Sequence, residues 1–330
     1  MAADHLVKIL AEHGVASRRA SERMIRDGKV TVDGEEVLEP GLMVDPREQR
    51  VRVDGKRLPR PPTPVYMVLH KPTGAITTRN DPQGRQTIFD LLDEPEQSLQ
   101  AVGRLDFNTE GVLLLTNDGE LAYRLTHPSY EVPKSYLVKV SSTPSDRKLE
   151  QLQRGVKLED GPTAPAIVSI VKSSGPSSWL LFTIKEGRNR IVRRLVDHIG
   201  HRTLKLKRVS FGGLTLRGLN PGDSRNLTAG ELGHLRRIVR QPSKTELKVT
   251  WEVRRAVAEA LRMPPPPPER RVTSRDEQDR PYRGKGWARP KARKTRGHKP
   301  MTRSRKAPGG GRSGGGGRGG GGRGGGGGRR

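Results

Sequence analysis

The pattern of apolar and polar residues changes period within the first 58 positions. Apolar residues recur every three or four positions up to Gly14 and again from Ser17 to Gly28, which predicts two helices that each end at a glycine. Residues 30–35 and 51–56 instead alternate, and each contains an Asp-Gly pair of the kind that joins a strand to a tight turn. Residues 1–58 therefore predict a small module with helices first and strands after them.

Residues 59–64 contain four prolines in six positions. Proline restricts the backbone and removes a hydrogen-bond donor, so this segment predicts a stiff, extended linker. A second domain is expected to begin at residue 65.

From residue 65 to residue 241 the sequence breaks into short apolar runs separated by turn-forming residues. These runs predict strands at residues 66–69, 112–115, 136–140, 167–171, 180–184 and 204–209. Amphipathic spacing predicts helices at residues 120–126, 146–154 and 190–199. A capping box from Thr228 to Glu231 starts one more helix. Short strands with segregated helices favour an α+β fold on a mixed, largely antiparallel sheet.

Residues 242–330 form a basic tail rich in Pro, Gly and Arg. Its first part is compatible with one helix from Lys244 to Met263, with Trp251, Ala258 and Leu261 as docking side chains. The composition beyond that helix cannot bury a core, so most of the tail is expected to be disordered.

The charge distribution points to a polyanionic partner. The net charge is +27, and residues 269–330 hold 20 Lys and Arg against 4 Asp and Glu, so both this segment and the rest of the chain are basic. RNA binding with strong salt dependence is expected, although a merely soluble basic surface would look the same. The tail is interpreted either as an arm that gathers RNA phosphates or as a solubilising extension.

Residue usage also narrows the chemistry. The absence of Cys excludes disulfides and thiolate catalysis and fits a reducing cytoplasm, where we expect the protein to act. The eight His show no ligand spacing, so no metal site is expected. Because no apolar run approaches the length of a membrane span and no signal peptide is evident, no membrane association is expected either.

The segment from Val102 to Gly119, V-G-R-L-D-F-N-T-E-G-V-L-L-L-T-N-D-G, places one carboxylate, Asp106, in a turn before a buried-looking strand. Gly111 predicts a close backbone approach at the start of that strand. Asp106 is thus expected where a rigid element can aim it into a cleft. An isolated Asp in a loop is more often a solvated turn former, so the neighbouring residues decide its interpretation.

This segment resembles the signature loop of the pseudouridine synthases, in particular the ribosomal-RNA group of the RsuA/RluB type. Further blocks resemble the same group in the same order, and they begin at His70 (H-K-P-T-G-A-I-T-T), Val132 (V-P-K-S-Y-L-V-K-V), Lys185 (K-E-G-R-N-R-I-V-R-R-L) and Leu206 (L-K-R-V-S-F-G-G-L-T-L-R-G-L-N-P-G). Residues 1–58 resemble the small RNA-binding domain named after ribosomal protein S-four. The resemblance covers about residues 5–240.

The resemblance implies that Asp106 is the catalytic residue, that Tyr136 is the active-site tyrosine and that a basic residue pairs with Asp106. Arg193 aligns with this basic residue, and Arg190 is the second alternative. Arg104 is implied to fill the hole that a flipped uridine leaves in the RNA stack. RNA contacts are also expected from Lys71, Arg188, Arg190, Arg18, Arg19 and Arg23.

Such a synthase detaches uracil from the ribose at N1, rotates the base and rejoins it through C5 without redox change, so no cofactor is expected. Asp106 can attack the uracil ring, attack the sugar or act as a base toward the sugar, and all three roles stay open. Arg193 is expected to hold Asp106 in its charged form through a bidentate contact. Tyr136 is expected to stack on uracil.

Two other functional classes stay open at this point. A non-catalytic RNA-binding factor in ribosome assembly explains the charge, the first domain and the tail, but it does not require Asp106, Tyr136 and Arg193 together. An RNA hydrolase would need companion acids for metal binding, whereas the surroundings of Asp106 are cationic apart from Glu110. The preferred interpretation is a monomeric synthase that modifies ribosomal RNA in pre-ribosomal particles, with large-subunit RNA favoured by the long basic extension.

Overall fold

The computed structural model describes residues 3–93, 98–242 and 247–267 of the 330-residue chain. The first domain contains two helices and a set of short strands. They are β1 (Asp4–His5), α1 (Leu6–Glu12), α2 (Arg18–Arg26), β2 (Val30–Val32), β3 (Glu35–Glu36), β4 (Met43–Val44), β5 (Val51–Val53) and β6 (Lys56–Arg57). Strands β3, β2, β5 and β6 form an antiparallel sheet in that order, and β1 pairs with β4. The two predicted helices precede the four-stranded sheet as expected, but the short strand β1 before α1 was not predicted.

Local sequence explains the boundaries of these elements. Helix α2 begins after Ser17, whose side chain accepts a hydrogen bond from the Ala20 amide. Asp33 and Asp54 have φ values of 55° and 46°, and the glycine after each also has a positive φ. Two consecutive residues in this conformation are what a type I′ hairpin turn requires, so both predicted Asp-Gly turns are confirmed.

The second domain follows the proline-rich linker and has more and longer elements. They are β7 (Tyr66–Lys71), β8 (Gln100–Ala101), β9 (Glu110–Thr116), α3 (Gly119–Thr126), β10 (Lys134–Ser141), α4 (Asp146–Arg154), β11 (Lys157–Leu158), β12 (Gly161–Pro162), β13 (Ile167–Ser174), β14 (Ser177–Ile184), α5 (Ile191–His198), β15 (Thr203–Phe211), β16 (Ser224–Asn226), α6 (Ala229–Arg240) and α7 (Trp251–Ala260). Single-turn 3₁₀ helices lie at Phe89–Leu91 and Pro128–Tyr130. Every strand and helix predicted from the sequence of this region is present; α4 has the predicted ends, and most of the others differ by a few residues.

One mixed sheet organises the second domain. Its strand order is β13, β14, β10, β15, β9, β7 and β16, with β8 added beside β9. Neighbouring strands are antiparallel except β9 and β15, which run parallel in the part of the chain that the structure describes. The predicted α+β class with a largely antiparallel sheet is confirmed.

Helices cover both faces of the sheet. Buried residues of α4 and α5 share a core with Val138, Val140 and Leu206 on one face. On the opposite face, Val253 and Val257 of α7 pack with residues of β10, β14 and β15. Helices α3 and α6 pack over the half of the sheet that contains β7 and β9. One core packs on the half of the sheet with β13, β14, β10 and β15, and another packs on the half with β9 and β7. The parallel pair of β9 and β15 lies where these two halves meet.

The helix predicted over Lys244–Met263 is shorter than expected. Residues 247–250 are not helical, because Thr250 is the N-cap of α7 and its side chain accepts a hydrogen bond from the Val253 amide. Ala258 is buried as predicted, and Trp251 is half-buried and donates a hydrogen bond to the Pro267 carbonyl. The predicted disorder of the Gly/Arg-rich part falls on residues 268–330, which lie outside the described residues.

No helix within the described ranges is long and apolar enough to cross a bilayer. The same ranges contain no group of three or more His, Cys, Asp or Glu placed to hold a metal ion.

Candidate active site

A cavity of about 320 Å³ opens where the two halves of the sheet meet. Its walls come from the loop before β9, from β10, from the loop before α5 and from β15. The lining side chains with polar groups are Arg104, Asp106, Thr109, Thr126, Lys134, Tyr136, Arg188, Asn189, Arg190 and Arg208. Residues far apart in sequence thus converge on one concave surface, as in most ligand sites.

Asp106 lies in the loop that leads into β9. The Val102 amide donates to the Leu114 carbonyl, and the amide of Leu105 and the hydroxyl of Thr77 exchange hydrogen bonds across the loop. The Thr109 amide then donates to the Asp106 carbonyl at 3.0 Å and closes a turn. The loop is therefore fixed at both ends, and the Asp106 side chain is left 34% exposed at the cavity.

Gly111 brings the two parallel strands together beneath this loop. Its φ is 130°, and a Cβ built on it would lie 2.1 Å from the Arg208 carbonyl oxygen and 2.6 Å from the Arg208 nitrogen. Both contacts involve backbone, which cannot move away without separating β9 from β15. The predicted close approach at Gly111 is confirmed.

Two arginines approach the same oxygen of Asp106. Arg193 Nε lies 3.5 Å and Arg190 Nη1 lies 3.6 Å from Asp106 Oδ2. The Arg193 side chain is 13% exposed, and its Nη2 donates to the Asn108 carbonyl and to Thr109 Oγ1. Arg190 is 54% exposed and occupies the N-cap of α5 with a φ of 49°. Arg193 is thus held rigidly, whereas Arg190 reaches Asp106 from the solvent side.

The expected bidentate contact between Arg193 and Asp106 is wrong. Arg193 turns its Nη2 toward the backbone of the same loop and presents only Nε to the carboxylate. That Nε is buried and lacks a hydrogen-bond partner among the described residues. The arrangement fixes the loop and the carboxylate together, and it leaves one buried donor near the Asp106 carboxylate.

Tyr136 and Arg208 form the floor of the cavity. They are directly opposite in the antiparallel pairing of β10 with β15, next to a β-bulge between Ser135 and Tyr136. The Arg208 guanidinium lies 4.9 Å from the centre of the Phe211 ring, and its Nε donates to the Val112 carbonyl at 2.7 Å. Its Nη2 is buried without a hydrogen-bond partner in the described part of the chain.

Two buried lysines add positive charge near this floor. Burial lowers the pKa of Lys71 to about 8, and nearby Asp106 partly opposes this shift. Burial, reinforced by Arg208, likewise lowers the pKa of Lys134 to about 8. Lys71 Nζ donates to the carbonyls of Pro72 and Thr109, and Lys134 Nζ donates to the Lys185 carbonyl. Neutral carbonyls do not compensate a buried charge as a carboxylate does, so these groups make the site electropositive.

Glu110, the acid closest to Asp106 in sequence, is bound by two basic side chains. It accepts hydrogen bonds from His70 and Lys207 at 2.8 Å and 2.7 Å. The hydrogen bond from His70, with help from Lys207, lowers the Glu110 pKa to about 2. Glu110 therefore links β7, β9 and β15 and leaves Asp106 as the carboxylate that faces the cavity.

Comparisons with known proteins identify the family of this chain. Residues 65–198 match the RNA pseudouridylate synthase family, and residues 6–49 match the S4 domain family. The chain is 44% identical over 238 residues to the ribosomal large subunit pseudouridine synthase B of Bacillus subtilis. This alignment covers 71% of this chain and 96% of the relative. The chain belongs to the RNA pseudouridylate synthase family.

Two further comparisons support the assignment of this synthase. The ribosomal large subunit pseudouridine synthase B of Escherichia coli is 41% identical over 260 residues, which are 76% of this chain and 88% of the relative. A solved crystal structure of a pseudouridylate synthase aligns with a TM-score of 0.52 and 29% identity, over 70% of this chain and 99% of that one. The first domain of the synthase is an S4 domain, as its sequence resemblance implied.

The structure brings together the residues for which the sequence predicted catalytic roles. Asp106, Tyr136, Arg190 and Arg104 line the cavity, and Arg193 contacts Asp106 from beside it. Arg104 is exposed at the cavity. In the S4 domain, Arg18, Arg19 and Arg23 are exposed on α2, and no carboxylate of the described residues lies within salt-bridge distance of them.

The expected phosphate contact of Lys71 is wrong, whereas that of Arg188 stays a prediction. Lys71 is fully buried, with its ammonium bound to two carbonyls. Arg188 lines the cavity, and its guanidinium donates to Glu186, Asp160 and the carbonyls of Gly161 and Pro162. A phosphate that binds Arg188 would have to displace some of these acceptors.

Sequence reasoning missed two cations of the cavity, Lys134 and Arg208. Strand alternation could have indicated Lys134, because it lies two residues before Tyr136 and so projects from the same face of β10. Nothing local could have indicated Arg208, whose place opposite Tyr136 depends on the register between β10 and β15.

Proposed function

We propose that this synthase converts a specific uridine of large-subunit ribosomal RNA to pseudouridine, with Asp106 as the catalytic carboxylate. The observation that carries the proposal is the position of Asp106 at the cavity, within 3.6 Å of two arginines and facing the same space as Tyr136. The printed names of the Bacillus subtilis and Escherichia coli relatives support large-subunit RNA as the substrate.

The cavity suits one flipped nucleoside. Its volume of about 320 Å³ is near the lower end of the range for small-molecule sites. A base inside a duplex cannot reach Asp106, so the target uridine must leave the stack, at a cost of a few kcal/mol. Arg104, exposed at the cavity, is placed to occupy the space that the uridine vacates.

The reaction conserves the composition of the nucleoside. The bond from C1′ to N1 breaks, a bond from C1′ to C5 forms, C5 loses its proton and N1 gains one. Asp106 acts as a nucleophile at C1′ or at C6 of the ring, or as a base toward the sugar, and it is regenerated when the new bond forms. No electron acceptor or external energy is needed.

The cations around the cavity stabilise the charges that this reaction requires. Arg193 and Arg190 place positive charge within 3.6 Å of Asp106 Oδ2 and orient its carboxylate. Lys134 and Arg208 place positive charge beneath the base, where negative charge develops on uracil as it leaves the ribose. Tyr136 holds the detached ring by stacking and offers its hydroxyl to the moving base.

The test uses transcripts of both ribosomal RNAs with uridines tritiated at C5. We expect the protein alone to release tritium from the large-subunit transcript, and pseudouridine mapping in a deletion strain to lose the same position. The Asp106→Asn variant is the matched control for contaminating activity. Tritium release from the small-subunit transcript alone would assign the substrate to small-subunit RNA instead. No release from either transcript would contradict the proposal.

We also propose that the synthase acts in the cytoplasm as a monomer on pre-ribosomal particles. The cysteine-free sequence and the basic charge support this proposal. Light scattering of the purified protein and its sedimentation with ribosomal precursors would test it.

A further inference from the structure

An aromatic cluster lies at the end of α3, outside the residues that line the cavity. The ring centres of Tyr123 and His127 are 5.0 Å apart, and Tyr130 is 6.4 Å from Tyr123 and 6.3 Å from His127. The planes are tilted by 39°, 79° and 81°, so the rings meet mostly edge to face. We call these three residues the aromatic platform.

The platform is exposed, although aromatic rings are scarce in this chain. Tyr123 is 52% exposed, His127 is exposed and Tyr130 is half-buried against the core formed by α3 and α6. Phe, Trp and Tyr make up only 4% of the sequence. A cluster that served packing alone would bury its largest rings, since their burial is what stabilises a fold.

Local contacts hold the platform in place. His127 Nδ1 lies 2.7 Å from Ser129 Oγ and accepts a hydrogen bond from the Ser129 amide, which fixes the imidazole at the start of the 3₁₀ helix. Tyr130 is anchored by the core of α3 and α6. A surface that is already ordered loses little conformational freedom when a ligand covers it.

The platform adjoins the catalytic cavity. Thr126, the residue before His127, lines the cavity beside Arg104. The Thr126 methyl group also lies 3.6 Å from the position of a Cβ built on Gly103, so the end of α3 contacts the loop that carries Asp106. A nucleotide next to the uridine in the cavity would therefore be within reach of the rings.

The charges near the platform do not oppose an RNA strand. Two nearby carboxylates are paired with cations, Glu120 with Arg124 and Glu131 with Lys185. The exposed Arg104 lines the adjacent cavity. These cations offset the two carboxylates where a phosphate would approach.

We propose that Tyr123, His127 and Tyr130 form a stacking site for an unpaired RNA base adjacent to the target uridine. The inference rests on the proposed function, because it takes the flipped uridine in the cavity as the point from which the strand continues. Removing one base from a helix weakens the stacking of its neighbours, and proteins bind such unpaired bases on aromatic side chains.

The experiment measures Kd and the single-turnover rate at saturating RNA on the stem-loop that contains the mapped uridine. Tyr123→Ala is compared with Tyr123→Phe, which keeps the ring, and with Leu204→Ala, which removes an apolar side chain that is 51% exposed and does not line the cavity. Loss of one stacked base corresponds to about 5- to 150-fold in affinity, and we expect about tenfold for Tyr123→Ala. The single-turnover rate of Tyr123→Ala at saturating RNA should stay near that of the wild type. Both control variants should keep near-native Kd and rate.

A modified RNA identifies the base. The adenine analogue 2-aminopurine, placed in turn at each position beside the uridine, should be quenched by the wild-type protein at one position and not by Tyr123→Ala. An abasic site at that position should weaken binding of the wild type but not weaken Tyr123→Ala further. Wild-type affinity of Tyr123→Ala, or equal losses on intact and abasic RNA, would overturn the inference. Failure of the proposed function would instead appear as no pseudouridine from the wild-type protein on either ribosomal RNA.

Discussion

The α2 helix of the S4 domain and the catalytic cavity both use basic side chains, but in opposite surroundings. Arg18, Arg19 and Arg23 are exposed, so water and salt screen them. Lys134 and Arg208 are buried beneath the cavity, with few compensating groups. Exposed cations can hold phosphates and contribute affinity, whereas buried cations act strongly on charge that develops within a few ångströms of them. The difference in surroundings therefore predicts a role in binding for the first set and a role in chemistry for the second.

The largest expected effect belongs to Asp106→Asn, which keeps the size of the side chain and removes its charge. We expect the single-turnover rate to fall by more than about a thousandfold, because no other described carboxylate lines the cavity. RNA affinity should change by less than about threefold, since the residue is not a phosphate ligand. Tritium release measures the rate, and a near-native rate would contradict the role of Asp106.

Arg193→Met is expected to have the next largest effect. It removes the buried donor beside Asp106 and the two hydrogen bonds that fix the loop, so the saturating rate should fall roughly 100- to 1,000-fold. Arg190→Met is the matched control and should cost less, because Arg190 is largely exposed. A larger loss with Arg190→Met would reverse the assignment of the two arginines.

Tyr136→Phe tests the hydroxyl and leaves the ring in place. We expect roughly a hundredfold loss of rate, typical of lost acid–base help, with little change in Kd. The single-turnover rate is measured at saturating RNA, so that a change in Kd does not affect it. Equal activity of the two proteins would restrict Tyr136 to stacking and packing.

Lys134→Met should raise stability while it lowers turnover. A buried lysine held by one carbonyl disfavours folding, and its apolar replacement should stabilise the protein by about 1–3 kcal/mol near pH 7. Because the folded pKa is lowered to about 8 from 10.5, the unfolded chain binds more protons between these values, and wild-type stability gains as pH rises through that window. The stability advantage of the variant should therefore shrink from pH 8 to pH 10.5 in denaturant titrations. A constant advantage, or a less stable variant, would contradict the cost assigned to this buried charge.

The smallest effect on chemistry is expected in the S4 domain. Replacing Arg18, Arg19 and Arg23 with Ala should raise Kd by about tenfold at physiological salt and reduce the slope of log Kd against log salt by about 2. Arg26→Ala on the same helix is the control, because Arg26 is paired with Glu22. An unchanged salt slope would mean that α2 does not face the RNA.

The fold and the centre of the site were largely predictable from the sequence, and the wider site was not. Apolar periodicity and the capping signals at Ser17 and Thr228 act over a few residues, and each has the predicted place. Gly111 also marks the predicted close approach, but its partner backbone at Arg208 is distant in sequence. The environment of a polar side chain depends instead on contacts distant in sequence. Lys71 therefore looked like a phosphate ligand until its burial beneath the 102–109 loop became visible.

The central claim is that Asp106 carries the chemistry and the S4 arginines carry affinity. The most direct test measures Kd and the saturating single-turnover rate for Asp106→Asn, for the triple Arg18, Arg19 and Arg23 to Ala variant and for the wild type on the same large-subunit RNA. The predicted result is a lost rate with near-native Kd for the first variant and a raised Kd with near-native rate for the second. Pseudouridine formed at the native rate by Asp106→Asn, or a saturating rate lost in the triple variant, would contradict it.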